Sequence, residues 1–147
     1  MNWKIKRFEE LTTTELYEIL RVRAEVFVVE QTCIYQDLDL KDKKAYHLFC
    51  EDNDEIVAYL RILDKNVSYS EISIGRVLVT EMNRGKGLAR EMMQKAISFV
   101  EEELSEMQIR ISAQLYLKKF YEGLGFSVTS DIYLEDDIEH IEMVYRA

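Results

Sequence analysis

The 147-residue chain has little of what many protein classes need: no proline, five glycines and two cysteines. Without proline, its turns must depend on Gly, Asn, Asp and Ser. Cys33 and Cys50 are too few for a disulfide framework and lack metal-ligand spacing, so we expect free thiols and no metal. No stretch approaches the roughly 18 apolar residues of a membrane span. The start, Met1-Asn2-Trp3-Lys4, lacks the apolar core of a signal peptide, so we expect a cytoplasmic protein without a membrane partner.

Basic residues are also in short supply, with 19 Lys and Arg against 28 Asp and Glu, a net charge of −9. This balance argues against a nucleic-acid partner, because such binding depends on neutralising phosphates. It mildly favours cationic small molecules. The length and the 48% hydrophobic content predict one folded domain over residues 1–147 rather than disorder.

Apolar periodicity predicts alternating strands and helices. A capping box at Thr12 and Glu15 begins a helix that should run to about Glu30. Further helices are expected over Ala89–Leu104 and Leu115–Glu122, and residues 33–44 predict an ordered loop or short helix. The predicted strands are Trp3–Phe8, Tyr46–Cys50, Ile56–Leu63, Glu71–Thr80, Ile109–Ala113, Phe126–Val128 and Ile138–Tyr145. Three consecutive strands followed by strand–helix units predict a mixed sheet with helices on its faces.

Three of the five glycines, Gly75, Gly85 and Gly87, cluster where a predicted strand leads into a helix. The free amides and dipole of a helix N-terminus favour an anion such as a pyrophosphate. Arg84, Lys86 and Arg90 add positive charge there. On its own the pattern is more typical of an ordinary turn with a solvated basic face. It is neither a complete P-loop nor a dinucleotide fingerprint.

A second segment strengthens the functional interpretation. Arg84-x-x-Gly87-x-Ala89 is followed by Phe120-Tyr121-Glu122-Gly123-Leu124-Gly125-Phe126, and a predicted strand precedes each. Together they resemble the two hallmark motifs of the GNAT superfamily of acyl-CoA-dependent N-acyltransferases. Over nearly the whole chain, the sequence is similar to the ElaA family of GNAT proteins. That likeness rests on segments 23–31, 35–39, 58–63, 74–77, 113–114 and 140–143.

The resemblance implies a GNAT-like three-layer α/β (α+β) sandwich, with a mixed central sheet of six to seven strands flanked by helices. Two strands should diverge near Val77 and Ile111 to admit the cofactor, and Gly75 fits a strand that bulges there. The implied reaction transfers an acetyl group from acetyl-CoA, as co-substrate and without metal, to a primary amine. The acceptor would be an unidentified small molecule or peptide, and the protein a monomer or homodimer.

Individual roles follow from the same resemblance. Tyr121 falls on the tyrosine that protonates the departing thiolate in many GNAT enzymes. Gln114 stands where many relatives have a cofactor-contacting asparagine. The backbone of Val77, Leu78 and Val79 would pair with the pantetheine arm. The turn residues Arg84, Gly85, Lys86, Gly87, Leu88, Ala89 and Arg90 would hold the pyrophosphate.

The general base does not transfer from the family, because Ser73 stands where some relatives carry a glutamate. Glu71 shares strand parity with Ser73 and is the first candidate, although a carboxylate at a strand end is more often simply solvated. His47 and His140 could shuttle protons. Two other functions stay open: an acyltransferase with a longer acyl donor, like the acyl-homoserine-lactone synthases, and a non-catalytic CoA-binding module.

Two arginines, Arg61 and Arg76, lie within predicted strands, where a buried charge needs a carboxylate or carbonyl partner. They predict either a pocket role or an internal ion pair. The acidic and polar residues that follow the first helix could line the acceptor pocket or form a structural loop. These are Glu30, Gln31, Tyr35, Asp37 and Asp39.

Overall fold

A computed structural model describes residues 1–147 and shows one mixed eight-stranded sheet flanked by helices. The strand order is β1-β2-β3-β4-β5-β8-β6, with β7 pairing only β8, and every pair is antiparallel except β4–β5. The strands are β1 (Asn2–Arg7), β2 (Ala45–Asp52), β3 (Glu55–Leu63), β4 (Ile72–Val79), β5 (Gln108–Gln114), β6 (Phe126–Val128), β7 (Tyr133–Glu135) and β8 (Ile138–Arg146). The helices are α1 (Thr13–Arg23), α2 (Leu88–Glu102) and α3 (Lys118–Glu122). No helix is both long and apolar enough to cross a membrane.

The first helix begins at the predicted capping box. The Thr12 hydroxyl accepts from the Glu15 amide at 3.0 Å, and the Glu15 carboxylate accepts from the Thr12 amide at 2.9 Å. The reciprocal bonds satisfy backbone donors that a helix start leaves free. The prediction of a helix to about Glu30 needs refinement, because α-helical geometry ends at Arg23. Wider π-helical turns continue over Ala24–Glu30.

Helices cover both faces of the sheet, which confirms the sandwich. On one face, α2 contributes Met92 and Met93 to a core of 21 buried residues that includes Leu48 of β2. On the other face, α1 packs Ile19 and other apolar side chains against Phe49, the next residue of β2. Neighbouring residues of a strand point to opposite faces, so the two clusters form the separate layers of an α/β/α arrangement.

The centre of the sheet is interrupted by a bulge in β4. Tyr59 of β3 is opposite Leu78, whereas Arg61 is opposite Gly75, so β4 has one extra residue between these pairs. The non-glycine residue with a positive φ there is Arg76, at +53°. The predicted bulge is therefore present, and its strained residue is the arginine beside Gly75.

β4 and β5 separate just before the bulge. Their parallel pairing is limited to Ile72 with Ile109 and Ser73 with Arg110. This confirms the predicted divergence of the two strands. Backbone groups of β4 from Ile74 onward consequently have no ladder partner on the β5 side, and a wedge opens toward the C-terminal ends of both strands.

The main path through the sheet contains seven strands, the upper end of the expected number, and β7 adds an eighth beside β8. The sequence gives little sign of β7, because it is three residues long and ends at the polar turn Asp136–Asp137. Residues 33–44 form a loop that ends in a short 3-10 turn over Lys41–Lys44, as expected.

Candidate active site

A cavity of about 1020 Å³ occupies the wedge between β4 and β5. It is bordered by the π-helical turns after α1, the glycine turn before α2, the short turn before α3 together with α3 itself, and β8. These elements come from distant parts of the chain, and the separation of two central strands brings them together. Open α/β sheets commonly bind ligands at the carboxyl ends of their strands.

The glycine turn lies at one end of the cavity and leads directly into α2. Gly85 and Gly87 have φ values of +80° and +78°, which other residues adopt at a cost. A Cβ atom built on either glycine would meet nothing within 4 Å, so the space beside the turn is open. The free amides at the start of α2 lie beside this space and suit a phosphate group.

Most of the predicted turn residues reach the cavity. Arg84, Gly85, Gly87, Leu88, Ala89 and Arg90 line it, and Lys86 does not. The Arg84 side chain faces back toward the sheet. Its Nε donates to the Val79 carbonyl at 2.9 Å, and its Nη2 donates to a Glu30 carboxylate oxygen at 2.8 Å. Arg84 therefore ties the turn to β4 and to the π-helical turns.

The predicted pantetheine strand also borders the cavity through Val77, Leu78 and Val79. Opposite them, Gln114 ends β5, and its amide nitrogen lies 3.4 Å from the Gln31 carboxamide oxygen. The structure thus places the two strand ends and the turn around one space.

Tyr121 lies on α3 and lines the cavity, although only 5% of its surface is exposed. Its ring packs edge-on against Phe120 and Phe126. Burial raises the pKa of the phenol well above its ordinary value of 10, so the hydroxyl keeps its proton at neutral pH. A buried, protonated phenol at a cavity wall suits a proton donor.

Glu71 is not among the residues that line the cavity. Its carboxylate accepts from Arg110 at 2.8 Å, and this hydrogen bond is the main reason its pKa is lowered to about 2. A carboxylate so strongly stabilised in its charged form is a poor proton acceptor near neutral pH. Its position does not favour the role of base expected for it.

Three arginines and three aspartates form a buried ionic network beneath the loop over residues 31–44. Arg23 has no exposed surface and donates to Asp37 at 2.9 Å and to Asp42 at 2.6 Å. Both alternatives left open for the two strand arginines are present, because Arg61 and Arg76 line the cavity and also form internal ion pairs. Arg61 pairs with Asp39 and Asp42, and Arg76 pairs with Asp37 and Asp39.

The network sets the backbone of the bulge. Arg76 Nε donates to Asp37 at 2.7 Å, and its Nη2 donates to the Asp37 carbonyl at 2.9 Å. These bonds oppose the strain of a positive φ at a non-glycine residue, which typically costs ~1–3 kcal/mol. The loop over residues 31–44 is thereby fastened to the strand that borders the cavity.

A polar wall completes the cavity on the β8 side. His140 and Ser112 line it together with Tyr69 and Glu135. His140 Nδ1 lies 2.7 Å from the Ile138 carbonyl oxygen, and Nε2 lies 3.4 Å from a Glu135 carboxylate oxygen. Sequence analysis missed Glu135 because it did not predict β7.

The other histidine, His47, lies outside the cavity. It has no exposed surface, and its ring nitrogens contact the Tyr59 hydroxyl at 2.7 Å and the Asp42 carbonyl at 2.9 Å. Burial lowers its pKa and keeps the ring neutral. Its partners indicate a structural role beside the ionic network.

Comparison with known proteins agrees with this geometry. Residues 12–147 match the sequence profile of a family described as an acetyltransferase (GNAT) domain. The chain therefore belongs to the GNAT acyltransferase family, and the predicted family is confirmed. Its fold and its membership both indicate an enzyme of the acyltransferase class.

Within that family, the chain is similar to the protein ElaA of Escherichia coli, with 37% identity over 145 residues, covering 97% of this chain and 95% of ElaA. The crystal structure of ElaA superimposes with a TM-score of 0.93, covering 99% of this chain and 100% of that one. An acyl-CoA N-acyltransferase from Pseudomonas aeruginosa gives the same TM-score at 37% identity, with 99% of each chain covered. An aminoglycoside 6'-N-acetyltransferase complexed with coenzyme A shares the fold at 13% identity, with a TM-score of 0.73, covering 97% of this chain and 96% of that one.

Proposed function

We propose that this protein transfers an acetyl group from acetyl-CoA to a primary amine of a small molecule or peptide. The observation that carries the proposal is the joining of three features in one cavity. They are the open glycine turn before α2, the unpaired edge of β4 and the buried phenol of Tyr121.

Each feature suits one part of the donor. The turn from Arg84 to Arg90 offers helix-start amides and open space to a pyrophosphate. The edge of β4 offers unpaired amides and carbonyls to the amide groups of a pantetheine arm, much as an added strand pairs with a sheet edge. Gly75, at the bulge, has an ordinary backbone conformation, and a Cβ built there would meet nothing within 4 Å. The residues present therefore fit the coenzyme.

The chemistry needs little more than position and proton transfer. Holding an amine and a thioester in attack geometry can supply ~7–11 kcal/mol of the barrier. The backbone N–H of Val77, next to the bulge, is suited to polarise the thioester carbonyl. Tyr121 donates a proton to the thiolate as the C–S bond breaks. The proposal does not use Glu71, which lies outside the cavity and is held by Arg110.

We expect the protein to consume acetyl-CoA when a primary amine is present. We also expect Gly75→Val to abolish most of this activity without unfolding the protein. Valine is favoured in strands, and its side chain would project into the open space that the acetylated thiol arm needs. CoA affinity should fall at least ten-fold, which corresponds to about 1.4 kcal/mol. Calorimetry measures that affinity, and mass spectrometry identifies acetylated products from a panel of mono-, di- and polyamines and short peptides.

Parallel assays with longer acyl-CoA donors test the choice of acetyl. A preference for a donor with a longer acyl chain would contradict acetyl-CoA as the donor, and the protein would then be an acyltransferase of a different donor specificity. Coenzyme binding without turnover of any amine or donor would contradict the enzyme and favour a binding module. Undiminished CoA affinity in folded Gly75→Val would contradict the placement of the donor along β4.

A further inference from the structure

His140 lies on the cavity wall beside the end of β5. In the β5–β8 pair it is opposite Gln114, where β5 has separated from β4. The residue is buried to all but 6% of its surface, and it borders the cavity. The Tyr133 ring stacks on the imidazole with centroids 6.1 Å apart, which fixes the plane of the ring.

The hydrogen bonds of His140 determine which nitrogen is basic. Nδ1 is 2.7 Å from the Ile138 carbonyl oxygen. A carbonyl can only accept, so Nδ1 carries the hydrogen, and in the neutral ring Nε2 has the free lone pair. Nε2 is also the atom that lies 3.4 Å from the Glu135 carboxylate. A proton taken up on Nε2 would therefore be stabilised by a neighbouring negative charge.

Two of the four acids that line the cavity are held by arginines and are poor proton acceptors. Glu30 is paired with Arg84, and Asp39 is paired with Arg61. Burial alone would raise the pKa of Asp39, but the hydrogen bonds and charge of Arg61 outweigh it and hold that pKa well below its usual range. Histidine is the one side chain whose ordinary pKa lies near neutrality. Of the two histidines, only His140 reaches the cavity.

We propose that His140 is the general base and that Glu135 binds the acceptor's ammonium group beside it. This inference rests on the proposed acetyl transfer. The ammonium gives one proton to Nε2, and the free amine then forms a C–N bond at the thioester carbonyl. As the C–S bond breaks, Tyr121 protonates the thiolate. The Tyr121 phenolate then takes a proton from the nitrogen that attacked the carbonyl. The products are the N-acetyl amine, CoA thiol and one proton, which the imidazolium releases to solvent.

The groups around His140 are polar or acidic. Tyr133 is opposite it in β7 and Gln114 is opposite it in β5, while Tyr69, Ser112 and Asp136 border the same part of the cavity. Cys33 reaches this region as well, with Sγ 3.7 Å from the Asp136 carbonyl oxygen. The Glu135 carboxylate, 3.4 Å from Nε2, is therefore the negative charge that an ammonium ion would meet beside the base.

The test compares His140→Asn, Glu135→Gln and the control Glu139→Gln with the wild type, over a range of pH, using an amine identified by the panel. The asparagine amide can still donate to the Ile138 carbonyl but lacks a basic nitrogen. We expect kcat/KM of His140→Asn to fall by ~10²–10⁴-fold, with loss of the limb that rises with pH and with unchanged CoA affinity. In Glu135→Gln the KM for the amine should rise, because the carboxylate that binds the ammonium group is lost. Glu139 is exposed on the same strand, and its variant should match the wild type.

Every outcome bears on the assignment. Wild-type rates and an unchanged pH limb in folded His140→Asn would overturn the base, while leaving the acetyltransferase intact. Should His140→Asn fail to fold, Glu135→Gln decides, because that side chain is half exposed. An unchanged KM for the amine in this variant would also overturn the proposal. No turnover of any amine by the wild type would overturn the transferase, and the base with it.

Discussion

Tyr121→Phe should lose most of its kcat while its acetyl-CoA Kd changes by only a few-fold. The substitution removes one hydroxyl and hardly any volume, and general acid catalysis typically contributes ~10²–10⁴-fold. The raised pKa of the phenol supports this role, since the group would retain its proton until a thiolate forms beside it. The measurement is kcat, cofactor Kd and Tm on the same preparation.

Tyr145→Phe is a matched control for this prediction. Tyr145 packs on Phe126, as Tyr121 does, but its hydroxyl donates to Glu101 at 2.6 Å, and the residue is outside the cavity wall. It should lose some stability and keep its turnover. A normal single-turnover rate in Tyr121→Phe would exclude the phenol as the acid, even if product release limits kcat.

Arg23→Met should destabilise the fold by about 3–5 kcal/mol, because it removes one partner of a buried charge network and leaves Asp37 and Asp42 less compensated. The guanidinium has no exposed surface and makes three hydrogen bonds. At roughly 2–4 °C per kcal/mol for a chain of this size, Tm should fall by about 10 °C. Thermal and urea unfolding both measure the effect.

Arg21→Met provides the comparison on the same helix. Arg21 is 43% exposed and pairs with Glu18 one turn away. Exposed pairs of this kind contribute below about 1 kcal/mol, so its Tm should stay near that of the wild type. Equal losses in the two variants would show that the buried network does not set the stability of the loop over residues 31–44.

Local patterns predicted the parts of the fold that local physics decides. The capping box at Thr12, the apolar spacing of α2 and the alternation of β3 each depend on residues close in sequence. The turn before α2 was predicted in the same way, since glycine and a following helix start are adjacent. The roles of Tyr121 and of the turn residues came from the family resemblance, and they remain predictions.

Other features depend on contacts that no local pattern encodes. Arg76 was recognised as needing a partner, but that partner, Asp37, is 39 residues away, and no local pattern indicated the positive φ that accompanies their contact. β7 has only three residues, too few to show the alternation of a strand, so the sequence did not predict that Glu135 lies beside His140. Glu71 looked available because strand parity shows which face a residue shares, and Arg110 was not considered as its partner.

The ionic network beneath the loop also bears on the order in which the protein folds. The Asp37 carboxylate is made 39 residues before Arg76, and Asp39 is made 22 residues before Arg61. We therefore expect the loop to stay solvated during synthesis and refolding until β3 and β4 have paired, since closing long loops is entropically unfavourable. Pulsed hydrogen exchange should show amide protection in β3 and β4 before protection at Lys41, whose amide is bound by Asp39. On that order, the loop side of the cavity forms only after β3 and β4 have paired, and a chain still short of β4 has no complete cavity to expose.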